Sequence, residues 1–114
     1  MPNLYKYELV KNSHSGAGTV LYSITNLNGF SYDVSKDGKY IAILNYAESM
    51  GDETLTIIKS DGSNLKDFGH LDSPQTLAPI YWTDPYYWLF KGIPIGEPSG
   101  VVRVNADTNQ VDNL

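Results

Sequence analysis

Apolar and polar residues alternate along most of this chain with the two-residue period of a strand, not the 3.6-residue period of a helix. The pattern is densest over 32–68, YDVSKDGKYIAILNYAESMGDETLTIIKSDGSNLKDF, where short apolar runs are broken at Lys36-Asp37-Gly38, Met50-Gly51-Asp52 and Asp61-Gly62. Runs of this kind separated by turn residues predict a four-stranded antiparallel meander. The run KYIAILNY has an unbroken apolar centre at 40–44, which predicts burial on both faces. Upstream, 4–10 and 19–25 read as a hairpin with a long polar connection, and the turn dipeptide Asn28-Gly29 follows it. Downstream, 69–77 reads as a connector. Strands are predicted at 78–82 and 86–90 around Thr83-Asp84-Pro85, then a loop at 92–100, then strands at 101–104 and 111–114. No stretch of ten or more residues has helical periodicity with caps. The expected fold class is all-β.

The chain also repeats. An interval of 46 residues sets Asp107 on Asp61, Val101 on Leu55, Val104 on Ile58, Val111 on Leu65 and Leu114 on Phe68. The same interval backwards sets Leu9 on Leu55, Gly16 on Gly62 and Tyr22 on Phe68. Repeats of about 40–50 residues with four strands apiece are the pattern of β-propeller blades.

The stretch YDVSKDGKYIA at 32–42, followed by LTIIKSDGSNL at 55–65, resembles the TolB-like (WD40-like, PD40) propeller repeat. In that family a W-S-P-D-G-K-x-I-A-F strand pair precedes an I-x-x-x-D-x-D-G-S hairpin. A second copy is more divergent, with Tyr81-Trp82-Thr83-Asp84-Pro85 and Asn105-Ala106-Asp107-Thr108 in the two motif positions. Ser35-Lys36 stands where the family has Ser-Pro, and Asp84-Pro85 where it has Asp-Gly. The resemblance implies a single domain over 1–114 made of a half-blade hairpin (4–25), a blade (30–69) and a divergent blade (78–114). The family closes rings of six or more blades, and two and a half blades leave sheet edges open. Three outcomes are therefore expected: copies associate edge to edge, the chain is an excerpt of a larger propeller, or the fold is an open stack or compact β-sandwich with covered edges.

Composition narrows the functional classes. The length of 114 residues suits one domain, and nine tyrosines suit half-buried pleated surfaces. A formal net charge of −5 without a basic run argues against nucleic acid as a partner. The absence of cysteine removes disulfides, thiolate nucleophiles and zinc–thiolate sites. The first ten residues lack the form of a signal peptide, and no apolar run approaches the roughly 20 residues that span a bilayer. No membrane association is expected, and a cytoplasmic location is expected if the chain ends are natural.

Candidate chemistry is sparse. Asp33-x-Ser35-x-Asp37-Gly38 opens like a calcium loop, but the position of the bidentate glutamate is Leu44. Asn105-x-Asp107-x-Asn109 lacks the glycine. His14 and His70 lie in separate loops, Ser13 and Ser15 beside His14 form no triad, and Asp52-Glu53 reads as a solvated pair. Neither an enzymatic activity nor a metal or cofactor is expected. The remaining candidates are aromatic: Tyr81, Trp82, Tyr86, Tyr87 and Trp88. Tyr86 and Trp88 share one face of a strand and Tyr87 takes the other. Trp82, Tyr86, Trp88 and Arg103 are the candidate ligand-binding residues, with Glu97 as an acidic companion. The first expectation is a non-catalytic module that binds protein or itself. The alternative is a small carbohydrate-binding lectin assembled from several chains.

Overall fold

The computed structural model describes residues 4–12, 18–26, 28–46, 53–71, 76–92 and 98–114. They form ten strands: β1 (Tyr5–Asn12), β2 (Gly18–Asn26), β3 (Phe30–Val34), β4 (Tyr40–Asn45), β5 (Thr54–Lys59), β6 (Lys66–Gly69), β7 (Thr76–Thr83), β8 (Tyr86–Gly92), β9 (Pro98–Asn105) and β10 (Val111–Asn113). All pairings are antiparallel, in a β1–β2 hairpin and two four-stranded meanders, β3-β4-β5-β6 and β7-β8-β9-β10. The chain is all-β.

Turn chemistry sets these pairings. Gly38 and Gly62 adopt φ of 77° and 88°, a region that costs any residue with a Cβ. At the first turn the Ser35 hydroxyl donates to Asp37 Oδ1 at 2.7 Å and accepts the Tyr40 amide at 3.0 Å. The supposed calcium-loop oxygens of Ser35 and Asp37 are thus engaged in closing a strand turn. In the second meander Thr83 pairs directly with Tyr86, and only Asp84 and Pro85, joined by a cis peptide bond, make the turn.

The 46-residue interval holds in three dimensions. Tyr40 pairs with Lys59 and, 46 residues on in both strands, Tyr86 pairs with Asn105. Leu44 pairs with Leu55, and Phe90 with Val101, at the same interval. The two meanders share one register through their central strands.

The three sheets stack face to face. Ile41, Ile43 and Ile58 of the first meander pack against Leu9 of the hairpin, joined by Leu21, Tyr22 and Phe30. The opposite face of that meander, Ala42, Leu44, Leu55 and Ile57, packs against Trp82, Tyr87, Leu89, Val102 and Val104 of the second. Every residue of β4 from Ile41 to Asn45 is therefore buried, as an apolar run without alternation requires. Polar bonds clamp the same interface. Trp82 Nε1 donates to the Asp33 carbonyl at 2.9 Å, and the Asp84 carboxylate accepts the amides of Lys36 (3.2 Å) and Asp37 (2.7 Å). Lys66 Nζ donates to the Ala106 carbonyl at 3.0 Å. The stack is a slab of 46 × 41 × 18 Å. Its radius of gyration of 14.5 Å exceeds the ~13 Å of a compact chain this long. Among the described residues the stack has two outward faces, one on the hairpin and one on the second meander.

Candidate interaction surface

Because side chains alternate across a strand, burying Tyr87 and Leu89 against the first meander turns Tyr86, Trp88 and Phe90 outward. The registers of β7, β9 and β10 assemble neighbours around them. One row crosses the sheet as Tyr81, Trp88, Arg103 and Asp112, flanked by Thr83, Tyr86 and Asn105 on one side and Ala78, Phe90 and Val101 on the other.

The central row is tightly organised. Tyr81 stacks on Trp88 with ring centroids 6.4 Å apart and planes 22° from parallel. The Arg103 guanidinium carbon sits 4.2 Å from the Tyr86 ring centre and 5.6 Å from that of Trp88, a cation–π arrangement on both. Arg103 Nε also donates to Asp112 Oδ2 at 2.8 Å, and Gln110 Nε2 donates to Asp112 Oδ1 at 2.9 Å. The hydrogen bond and charge of Arg103, helped by Gln110, hold the Asp112 carboxyl below the usual aspartate range. Trp88 Nε1 donates to Thr83 Oγ1. Tyr81 and Phe90 remain exposed at the margins of the patch, and so does Leu114 at the end of the chain.

Of the four candidate residues, the fold brings together Tyr86, Trp88 and Arg103. Trp82 lies on the opposite face, 1% exposed, stacked on Tyr40 with planes 13° apart. Its indole is an element of the core between the two meanders and takes no part in this surface. Tyr87 is likewise buried, opposite Tyr86 and Trp88. Glu97, His14, Ser13, Ser15 and Asp52 lie outside the described residues. His70 Nδ1 lies 3.1 Å from the Glu53 carbonyl, remote in the fold from the aromatic row.

Sequence reasoning passed over Phe90 and Val101, which complete the apolar part of the patch. The repeat contained the signal. Phe90 and Val101 stand 46 residues after Leu44 and Leu55, two residues that the first meander buries against its neighbour. Likewise Trp88 and Arg103 stand in the places of Ala42 and Ile57. The outer face of the second meander is thus the counterpart of a face that, one repeat earlier, is covered by a whole sheet.

Compared with protein-family models, with curated proteins and with solved structures, the chain matches none.

Proposed function

We propose that this chain is a non-catalytic interaction module of β-propeller-type blades, and that it associates with a second copy through the outer face of its second meander. In this reading the β1–β2 hairpin is the outer half of a blade and the two meanders are complete blades. The observation that carries it is the equivalence just described. Trp88, Phe90, Val101 and Arg103 occupy the positions by which the preceding meander receives a neighbour, yet among the described residues no sheet lies upon that face. Aromatic side chains with an engaged arginine suit a protein interface, because they supply rigid area at small entropic cost. A second copy fits better than a sugar. Both sides of the Trp88 ring are flanked, by Tyr81 from β7 and by Arg103 from β9, so a pyranose would have to displace one of them. A two-fold pairing of this face with itself buries the same patch on both partners, the usual geometry of a homodimer.

Light scattering over a dilution series tests the proposal. The wild type is expected to show a dimer mass that falls to monomer on dilution, and Phe90→Glu is expected to be monomeric throughout. A wild type that is monomeric at every concentration overturns self-association through this face, as does a dimer that Phe90→Glu leaves intact.

A further inference from the structure

The opposite end of the stack carries a different kind of opening. By the 46-residue interval β1 corresponds to β5, with Leu9 in the place of Leu55. The strand β5 is bonded on one edge to β6 and on the other to β4. The strand β1 is bonded to β2, and among the described residues no strand lies along its second edge. Beneath that edge the first meander is correspondingly bare. Phe30, Tyr32 and Val34 point to the hairpin side of β3, since their cross-strand partners Asn45, Ile43 and Ile41 do so. Phe30 is covered by Tyr22, with ring centroids 5.2 Å apart, but Tyr32 is 58% and Val34 45% exposed. Trp82, which like Val34 is the residue of its strand paired to the second position of the next one, is 1% exposed. What covers Trp82 is a strand pair: Tyr40 of β4 stacks on its ring and Asp33 of β3 accepts its indole N–H. The hairpin has no such pair to offer Val34. A groove of about 310 Å³ lies there instead, lined by Leu9 and Val10 of β1 and by Tyr32, Val34 and Ile41.

We infer that this groove and the edge of β1 over residues 8–11, along which no described strand lies, form a strand-acceptor site, which takes an extended two-stranded segment carried on another polypeptide. The first added strand runs antiparallel to β1, as β4 does to β5, and turns alternate apolar side chains onto Val34 and Ile41. Main-chain bonds along the edge supply affinity and the groove supplies selectivity, the usual division in recognition by strand addition. The interface of β3 and β4 with the second meander specifies the chemistry: an aromatic residue where Tyr40 stands, then small and branched apolar residues at alternate positions, as Ala42 and Leu44 are. A second copy is a poorer occupant. The strand of the required chemistry in a second copy is β4, which is already bonded along both edges, to β3 and to β5.

The test uses the whole chain and a synthetic peptide of residues 29–46, which contains the strand pair of the first meander. Saturable binding is expected, with hydrogen exchange of the outward amides in 8–11 slowed at least tenfold. Val34→Glu, or Tyr32→Glu should the first variant fold poorly, is expected to weaken binding at least tenfold. Phe90→Glu is expected to leave it unchanged. Unchanged exchange in 8–11 at saturating peptide overturns the inference, and so does equal affinity in both groove variants. Binding lost in Phe90→Glu but kept in Val34→Glu also overturns it, because the peptide then occupies the other end of the stack. Dimerisation is read separately by mass and does not depend on Val34, so either proposal can fail alone.

Discussion

At the scale of single residues the chain shows how far the same side-chain type can diverge in role. Trp82 and Trp88 sit six residues apart on paired strands, yet one is buried between sheets and the other lies on an outer face. Alternation predicts that Tyr86 and Trp88 face away from Tyr87, and they do. It misassigned Trp82, because a turn of Thr83-Asp84-Pro85 would set Trp82 opposite Tyr86, whereas Thr83 itself pairs with Tyr86 and Trp82 opposes the inward-facing Tyr87. Arg103 and Asp112 offer the clearest test at this scale. The Asp112 carboxyl is held below its ordinary range in the folded chain, so the folded state binds its proton less readily than the unfolded state does. The stabilisation is therefore complete above the ordinary aspartate value of about 3.9 and is lost as pH falls through the lower folded value. Comparing melting temperatures of wild type and Arg103→Met in dilute, low-salt solution, we expect a gap at about pH 6 that narrows by about pH 2.5. A residual gap remains, because stacking of the guanidinium on Tyr86 and Trp88 does not require Asp112 to be charged. An undiminished gap at the acid end would mean that stacking, and not the ion pair, carries the effect.

At the scale of elements the sequence was legible wherever alternation was flanked by glycine turns, and less so wherever proline stood in a strand. The strands β3, β4 and β5 fall where the pattern puts them. In contrast β7 begins at Thr76, inside what reads as a connector, and β9 begins at Pro98, inside what reads as a loop. Pairing with the long strand β8 extends both: Leu77 opposes Lys91 and is buried, and Pro98 opposes Gly92 beside a register shift. A first strand position is one that proline tolerates. The turn between β7 and β8 has a second role that sequence could not reveal. Its Asp84 reaches the neighbouring sheet and accepts two amides of the β3–β4 turn. Bonds to a charged acceptor contribute more than neutral ones, but solvent access tempers them, so Asp84→Ala is expected to cost about 1–3 kcal/mol in urea denaturation. Asp84→Asn, which keeps one acceptor oxygen, is expected to lose about half as much. A loss within error for both would show the two turns to be held by the apolar contacts alone.

At the scale of the molecule, stability should be graded along the stack. The first meander is the only sheet among the described residues with core on both faces: Ile41 and Ile43 serve the cluster with the hairpin, and Ala42 and Leu44 serve the cluster with the second meander. Opening it exposes both clusters together, so its amides can exchange only in the most costly openings. Among the described residues the hairpin has two strands and one core face, and it is held in part by the small cluster around Leu9 and by a bond from the Tyr22 hydroxyl to Asn45 Oδ1 at 2.9 Å. It can detach while the other two sheets stay packed. Native-state hydrogen exchange should therefore find the amides of 41–44 and 55–58 slowest, and those of β1 and β2 faster by about two orders of magnitude. Equal protection in hairpin and first meander would mean that the layers open as one unit. The prediction also bears on the open edge of β1. A half-width layer is the least stable place in such a stack, and a strand pair docked beside it would add both edge bonds and apolar cover. The largest gain in protection on binding should then fall in the hairpin, the layer that has most to gain.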